Sequence, residues 1–356
     1  MKRNYLKNFA SIFLLLALFA NLSITTSCTN QKKDDSKACC EKSTPCLKDV
    51  EITKNYFSVE GDTIVFKGLC LEDLGSLNDR GHWGEEYIRQ ASLWNVNIVR
   101  FPVHPVHMNN MGKDKYIEEL KKGVEWAKKY NMYSIIDWHV IGNMKDEKWQ
   151  NPMYETTKLE TLDFWATIAK VFKDEPAVAF YELYNEPTVY SGQLGEMTWK
   201  ELMDIYAQII DTVRAYDSTT VTLLGGLNWA YDISELKNYD PGFKNNGYTA
   251  HPYPQKNEEP WFENWDKAFG FAAEKYPIVC TEFGYAYADQ EGAHIPVISD
   301  DHYGTAILDY FNQKGISYTA WCFSWNWHPT LLKDSTYTPQ VGQGEFFKKE
   351  FLKHKF

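Results

Sequence analysis

The sequence predicts an α/β protein, a single (β/α)8 barrel of the TIM type, and three observations carry that expectation. Eight apolar, β-rich runs recur along the chain, and amphipathic helical stretches separate them. Polar and titratable residues gather just after the runs, where the strands of such a barrel would leave its mouth. A chain of 356 residues suits one barrel and buries a core without help from disulfides or metal.

The first segment is read as an address. Lys2, Arg3 and Lys7 form a positive start, and Phe9 to Ala20 form an apolar stretch too short to span a bilayer. Ile24-Thr25-Thr26-Ser27-Cys28 resembles a bacterial lipoprotein cleavage site with Cys28 as the lipidated residue, although Thr25 stands where Leu is usual. An unmodified secretory signal is the rival reading. Residues 1–27 are thus expected to be a signal peptide and 28–54 a flexible, polar tether. Gln31 to Ser36 resemble the export signal of surface lipoproteins in one group of Gram-negative bacteria, or are plain tether. The expected location is the bacterial cell envelope, lipid-anchored at the outer membrane, periplasmic or surface-exposed.

Residues 55–356 are the expected barrel. Its strands are predicted over Ile64–Cys70, Val96–Phe101, Met132–Trp138, Val178–Tyr184, Val221–Gly225, Gly247–Ala250, Pro277–Thr281 and Ser317–Phe323. Helices are predicted over Glu85–Asn95, Lys115–Tyr130, Lys158–Phe172, Thr198–Tyr216, Trp261–Tyr276, His302–Lys314 and Gly344–Leu352, with only a short one around Tyr231–Lys237. Strands apolar on both faces with helices between them imply a parallel sheet. An open doubly wound sheet is the alternative, but no G-x-G-x-x-G follows the first run.

Composition narrows the partners. A net charge of −11 argues against nucleic acid or an anionic membrane surface, both of which need a cationic face, so membrane contact is expected through the lipid alone. Aromatic residues make up 16 % of the chain, which suits a core of large side chains and also a site where flat rings stack on sugars. Cys39, Cys40 and Cys46 fall in the tether without zinc-type spacing, and Cys70, Cys280 and Cys322 read as small buried hydrophobes. No catalytic cysteine, metal or cofactor is expected.

The strand ends collect Arg100 and His104 after the second run, His139 after the third, and Asn185 and Glu186 after the fourth. His251 and Tyr253 follow the sixth, Glu282 ends the seventh, and Trp321 lies in the eighth. Glu186 and Glu282 are far apart in sequence, yet fourth and seventh strand ends face each other across a barrel mouth. Two facing carboxyls are what glycoside hydrolysis uses. A gap of about 5–5.5 Å permits nucleophilic attack and retention, whereas about 6.5–9.5 Å admits a water and implies inversion.

Leu183-Tyr184-Asn185-Glu186-Pro187 resembles the N-E-P signature of glycoside hydrolase family 5, the cellulase family, and Thr281-Glu282-Phe283-Gly284 is similar to its nucleophile segment. Val99-Arg100-Phe101-Pro102, Asp137-Trp138-His139, His251-Pro252-Tyr253 and Trp321 complete the resemblance in the right order, over roughly residues 55–350. It implies a retaining endo-β-glycanase acting on β-1,4-linked glucan, cellulose-like or mixed-linkage, with β-mannan and xyloglucan as rival substrates. Glu186 would be acid/base and Glu282 nucleophile. Arg100 and Tyr253 would hold Glu282, and His251 would orient Glu186. Asn185 and His139 would bind sugar hydroxyls, and Trp321 would stack beneath the ring. His104, Trp83, Trp149, Trp229, Trp325 and Trp327 are candidate sugar contacts beside the cleft. The first strand departs from the family, reading Phe66-Lys67-Gly68-Leu69-Cys70-Leu71-Glu72-Asp73 where a Gly-x-Asn turn is common. Two other readings are a glycan-binding lipoprotein on an inactive barrel and an unrelated metal-dependent barrel hydrolase.

Overall fold

The structure, a computed structural model, describes residues 45–354. The signal segment, Cys28, Cys39 and Cys40 lie outside the described residues. Eight parallel strands close into a barrel: Lys67–Leu71, Ile98–Val103, Tyr133–Trp138, Val178–Glu182, Val221–Gly225, Asn246–Thr249, Ile278–Cys280 and Ser317–Phe323. They pair in chain order, and the eighth closes on the first through Tyr318 opposite Lys67 and Ala320 opposite Leu69. Gly68 is required where the first strand meets the second, because a Cβ there would stand 2.1 Å from the Ile98 carbonyl oxygen.

The helices start where the sequence caps them. Thr157 and Thr198 each form a capping box, with Glu160 and Glu201, at the head of Lys158–Phe172 and Trp199–Arg214. Asp300 caps Asp301–Lys314, and left-handed Gly315 ends it. The predicted helix Trp261–Tyr276 is broken: an α-helix runs over Trp261–Ala268 and a 3-10 turn over Gly270–Glu274. The chain leaves the helix at Phe269, and the Tyr310 hydroxyl packs where a side chain at residue 270 would stand, so the turn that follows begins at a residue without a Cβ. Short helices over Leu74–Asp79, capped by Asp73, and Pro105–Met111, with proline in its first turn, have no counterpart among the predicted elements.

Two small sheets flank the barrel. Val50–Thr53, Tyr56–Val59 and Asp62–Ile64 form an antiparallel sheet below it, so the tether expected over 28–54 ends before Val50. This sheet inserts Phe57, 2 % exposed, among Phe66, Ile98, Tyr133 and Phe180 at the strands' N-terminal ends, which closes the bottom of the barrel. At the opposite end Ile141–Asn143 pairs with Lys148–Trp149 and, in parallel, with Glu186–Pro187. That second sheet holds the backbone of Glu186, whose N–H donates to the Val140 carbonyl at 3.1 Å. Among the described residues no helix is long and apolar enough to cross a membrane.

Candidate active site

Arg100, near the middle of the second strand, organises the mouth. It is fully buried and donates in four directions: Nε to Glu182 at 2.6 Å, Nη1 to Glu282 at 2.9 Å and to the Cys70 sulfur at 3.3 Å, and Nη2 to the Asn185 carbonyl oxygen at 2.7 Å. Nη2 also pairs with Asp137 at 3.0 Å. A guanidinium suits this place because its planar fork serves several oxygens at once and keeps its charge in the interior. Burial would push Glu182 up, but Arg100 and the hydrogen bonds from His251 and Arg100 hold it down at about 2. Asp137 goes the other way: burial, helped by the charges on Glu182 and Glu282, lifts it well above the carboxylate range against Arg100.

The two expected carboxyls meet over this base. Glu282 receives Arg100 on Oε1 and the Tyr253 hydroxyl on Oε2 at 3.0 Å. Burial raises its proton affinity above the ordinary value, His251 and Arg100 oppose that, and Glu186 and Glu182 reinforce it. Tyr253 is raised further still by burial and by the Glu282 charge, which keeps its hydroxyl a donor. Glu186 has a separate partner, His251, whose Nδ1 lies 2.9 Å from Oε1. The other ring nitrogen is 2.9 Å from the Thr281 hydroxyl, which itself donates to Glu182 at 2.7 Å. Burial pulls His251 down, yet Glu282, Glu182 and Glu186 outweigh it and set the imidazole at about 9. One oxygen of Glu186, one of Glu282 and a nitrogen of His251 all lie within 4.8 Å of each other. Among the described residues this is the one group whose donor atoms converge as a cation site's would, and as imidazolium His251 donates to Glu186 Oε1. The constellation is built to handle protons.

An open cleft of ≈ 700 Å³ runs over the pair, lined by His139, Tyr154, Trp229, Lys256, Trp321 and His328 among others. The His139 ring stacks on Trp321 at 5.4 Å and 13°, and its Nδ1 lies 2.6 Å from Asp137. Burial and neighbouring His104, Arg100 and His251 drive His139 well below its ordinary value, so it meets the cleft neutral. Asn185 Nδ2 is a buried amide without a hydrogen-bond partner, while its oxygen is held by Arg100.

The predicted residues therefore come together, with corrections of depth. Glu186, Glu282, His139, Tyr253 and Trp321 line the cleft; Arg100, Asn185 and His251 are 0 % exposed beneath it, with Arg100 and His251 hydrogen-bonded to the carboxylates as expected. His104 is not a cleft residue: its Nδ1 is 3.2 Å from Asp73, and its ring packs behind His139 at 4.3 Å. Of the candidate tryptophans only Trp229 reaches the cleft wall. Trp327 stacks behind Trp321 at 6.0 Å, Trp83 packs on Trp126, Trp325 lies under the Arg80 guanidinium, and Trp149 packs against Tyr184. Cys70, Cys280 and Cys322 are buried as expected, and Cys70 additionally meets Arg100. Glu182, Tyr154, Tyr190 and Lys256 were not singled out. For Glu182 a signal existed, a lone acid in the otherwise apolar strand Val178–Glu182.

A closed (β/α)8 barrel with two carboxyls converging at its C-terminal mouth is the class that fold and site define. The family model described as Cellulase (glycosyl hydrolase family 5) matches residues 60–327, and the chain belongs to that family. The crystal structure of a β-glucanase from Saccharophagus degradans is 40 % identical, covers 87 % of this chain and 95 % of that one, and superposes with a TM-score of 0.85. The same enzyme has been solved in complex with cellotetraose. Endoglucanase 5 of Pectobacterium carotovorum subsp. carotovorum is 23 % identical across 76 % of this chain and 50 % of its own length. An endoglucanase of Clostridium saccharobutylicum is 27 % identical across 73 % and 53 %. The chain thus spans about half the length of the curated relatives it matches.

Proposed function

We propose that this protein is a retaining endo-β-1,4-glucanase. The observation that carries the reading is the short gap between Glu186 and Glu282, with oxygens within 4.8 Å and separate partner sets. That gap belongs to direct attack; inversion needs space for a water between the carboxyls, at about 6.5–9.5 Å. The glucan assignment is supported by the endoglucanase relatives and by the cellotetraose complex of the similar β-glucanase.

In the first step Glu186 gives its proton to the glycosidic oxygen while a Glu282 oxygen bonds to the anomeric carbon and the leaving sugar departs. Arg100 and Tyr253 donate to Glu282 from two sides, which favours its ionised form against burial and fixes its direction. In the second step water attacks the anomeric carbon, its proton passes to Glu186, and the ester bond to Glu282 breaks. Trp321 offers a flat face beside neutral His139.

The test is hydrolysis of barley mixed-linkage glucan, carboxymethylcellulose, β-mannan and xyloglucan by wild type, Glu186→Gln and Glu282→Ala. Cleavage of the glucans with loss of activity in both variants is expected. Full activity in Glu282→Ala, or action confined to mannan, overturns the reading. The same proposal places the enzyme at the cell envelope through lipid on Cys28; labelling with a fatty acid should be lost in Cys28→Ala, and labelling that persists there would refute the anchor.

A further inference from the structure

Asp137, near the C-terminal end of the barrel strand Tyr133–Trp138, is a buried acid that the two-carboxylate chemistry does not itself call for. Its surroundings hold more carboxyl groups than cations. The Arg100 guanidinium stands 3.0 Å from Asp137, 2.6 Å from Glu182 and 2.9 Å from Glu282. The second cation, His251, is 3.7 Å from Glu182 and 3.8 Å from Glu282. Three buried acids thus face two cations, and any charge on Glu186 would only widen the excess. A buried ion without a counter-charge is costly, so one of the three acids keeps its proton.

Hydrogen bonding shows which one. Glu182 accepts from Arg100 Nε and from the Thr281 hydroxyl, and Glu282 accepts from Arg100 Nη1 and from the Tyr253 hydroxyl. The Asp137 carboxyl has no such support. Its Oδ1 is buried without a partner, and Arg100 Nη2 directs its hydrogen bond to Asn185. Among the described residues its single hydrogen-bond partner is His139 Nδ1, 2.6 Å from Oδ2. A bare oxygen costs far less on an un-ionised carboxyl than on a carboxylate. Burial, opposed by Arg100 and reinforced by Glu182, Glu282 and Cys70, pushes Asp137 the same way.

The proton of that acid has one place to go. His139 is held neutral, chiefly by burial, so one ring nitrogen carries a hydrogen and the other a lone pair. Nδ1 is within reach of Asp137 Oδ2, whereas Glu282 Oε1 is 4.0 Å from Nδ1, beyond a hydrogen bond. An O–H donated to Nδ1 leaves the ring hydrogen on Nε2. That nitrogen has no partner among the described residues, and the ring lines the cleft. We propose that Asp137 is a positioning residue, an un-ionised carboxylic acid that donates to His139 Nδ1 and so makes Nε2–H of His139 a donor toward the glucan. Stacking on Trp321 at 13° fixes the plane of the ring, and Asp137 fixes its rotation within that plane. The glucan as recipient rests on the proposed function; the tautomer does not.

Long-range proton–nitrogen NMR of enzyme carrying 15N-histidine reads the tautomer, with His139→Asn to assign the signals. A bare Nδ1 and a protonated Nε2 are expected; a proton on Nδ1 overturns the proposal, whatever the enzyme does to glucan. Asp137→Leu should lower kcat/KM on barley mixed-linkage glucan by about 2- to 12-fold, the worth of one neutral hydrogen bond. Asp137→Asn, neutral like the acid it replaces and able to donate to Nδ1, should recover part of that loss. Its acid limb of kcat/KM should stay where wild type has it, because no charge has left the surroundings of Glu282. A limb moved to lower pH, as loss of an anion beside Glu282 would cause, overturns the proposal, and so does an Asp137→Asn no better than Asp137→Leu. If Asp137→Leu does not fold, the wild-type tautomer and the acid limb of Asp137→Asn decide. Wild type that shows the expected tautomer but leaves glucan intact would overturn the proposed function and not the role of Asp137.

Discussion

Replacing Tyr253 by Phe removes one oxygen and tests how Glu282 is kept ready. The ring is 7 % exposed, and its hydroxyl donates to Glu282 Oε2 at 3.0 Å. In the variant that oxygen keeps no hydrogen-bond donor, with the His251 Nδ1 nitrogen 3.8 Å away. A hydrogen bond to a charged group is worth about 1.5–3 kcal/mol, which corresponds to a loss of about 10- to 150-fold in rate if it is fully expressed. The sign on pH follows from which form the bond serves. Tyr253 stabilises ionised Glu282, burial already raises this carboxyl, and losing the donor raises it further. The acid limb of kcat/KM should therefore move to higher pH by about one to two units. Activity should fall most on the acid side of the profile and least toward its neutral side, with the melting temperature measured in parallel to confirm folding. An acid limb that stays in place while activity falls evenly at every pH would refute the assignment of Tyr253 to the charge state of Glu282.

Glu186→Gln should reduce hydrolysis of cello-oligosaccharides by about 10²- to 10⁴-fold, the usual share of general acid–base catalysis, while dinitrophenyl β-cellobioside still yields a burst; loss of the burst would contradict the acid role. His251 stands at about 9 in the folded protein, above its ordinary value, so its contribution to stability is full below about pH 6.5 and lost as pH rises through about 9. That contribution is of the order of 3 kcal/mol, and the difference in unfolding free energy between wild type and His251→Gln should shrink across this window; a constant difference would refute it.

The barrel was legible because its eight strands are apolar on both faces and stand between capped helices. Lys158–Phe172 matches its predicted bounds, since Thr157 and Glu160 write the cap into the sequence. Val50–Thr53 was not legible. Only Val50 of its four residues is buried, and its strand character comes from pairing with Tyr56–Val59 rather than from its own pattern. The sheet that carries Glu186–Pro187 is built from strands of two or three residues, too short for any periodicity. Of the site, the carboxyls, Arg100, His139, Tyr253 and Trp321 were readable because strand ends constrain them. His104 misled because a strand end also holds residues that support the wall, and only the packing shows Asp73 taking its Nδ1. Lys256 and Tyr190 stand outside the barrel strands, and nothing local in the sequence says that Lys256 turns back to Glu186.

The most direct test of the account is the anomeric form of the first product. Proton NMR during the first minutes of cello-oligosaccharide hydrolysis should show the β-anomer appearing first and the α-anomer growing only by mutarotation. That result is what a covalent intermediate on Glu282, set within 4.8 Å of its acid partner, requires. Initial appearance of the α-anomer would mean that water attacks directly, and Glu282 would lose its role as nucleophile.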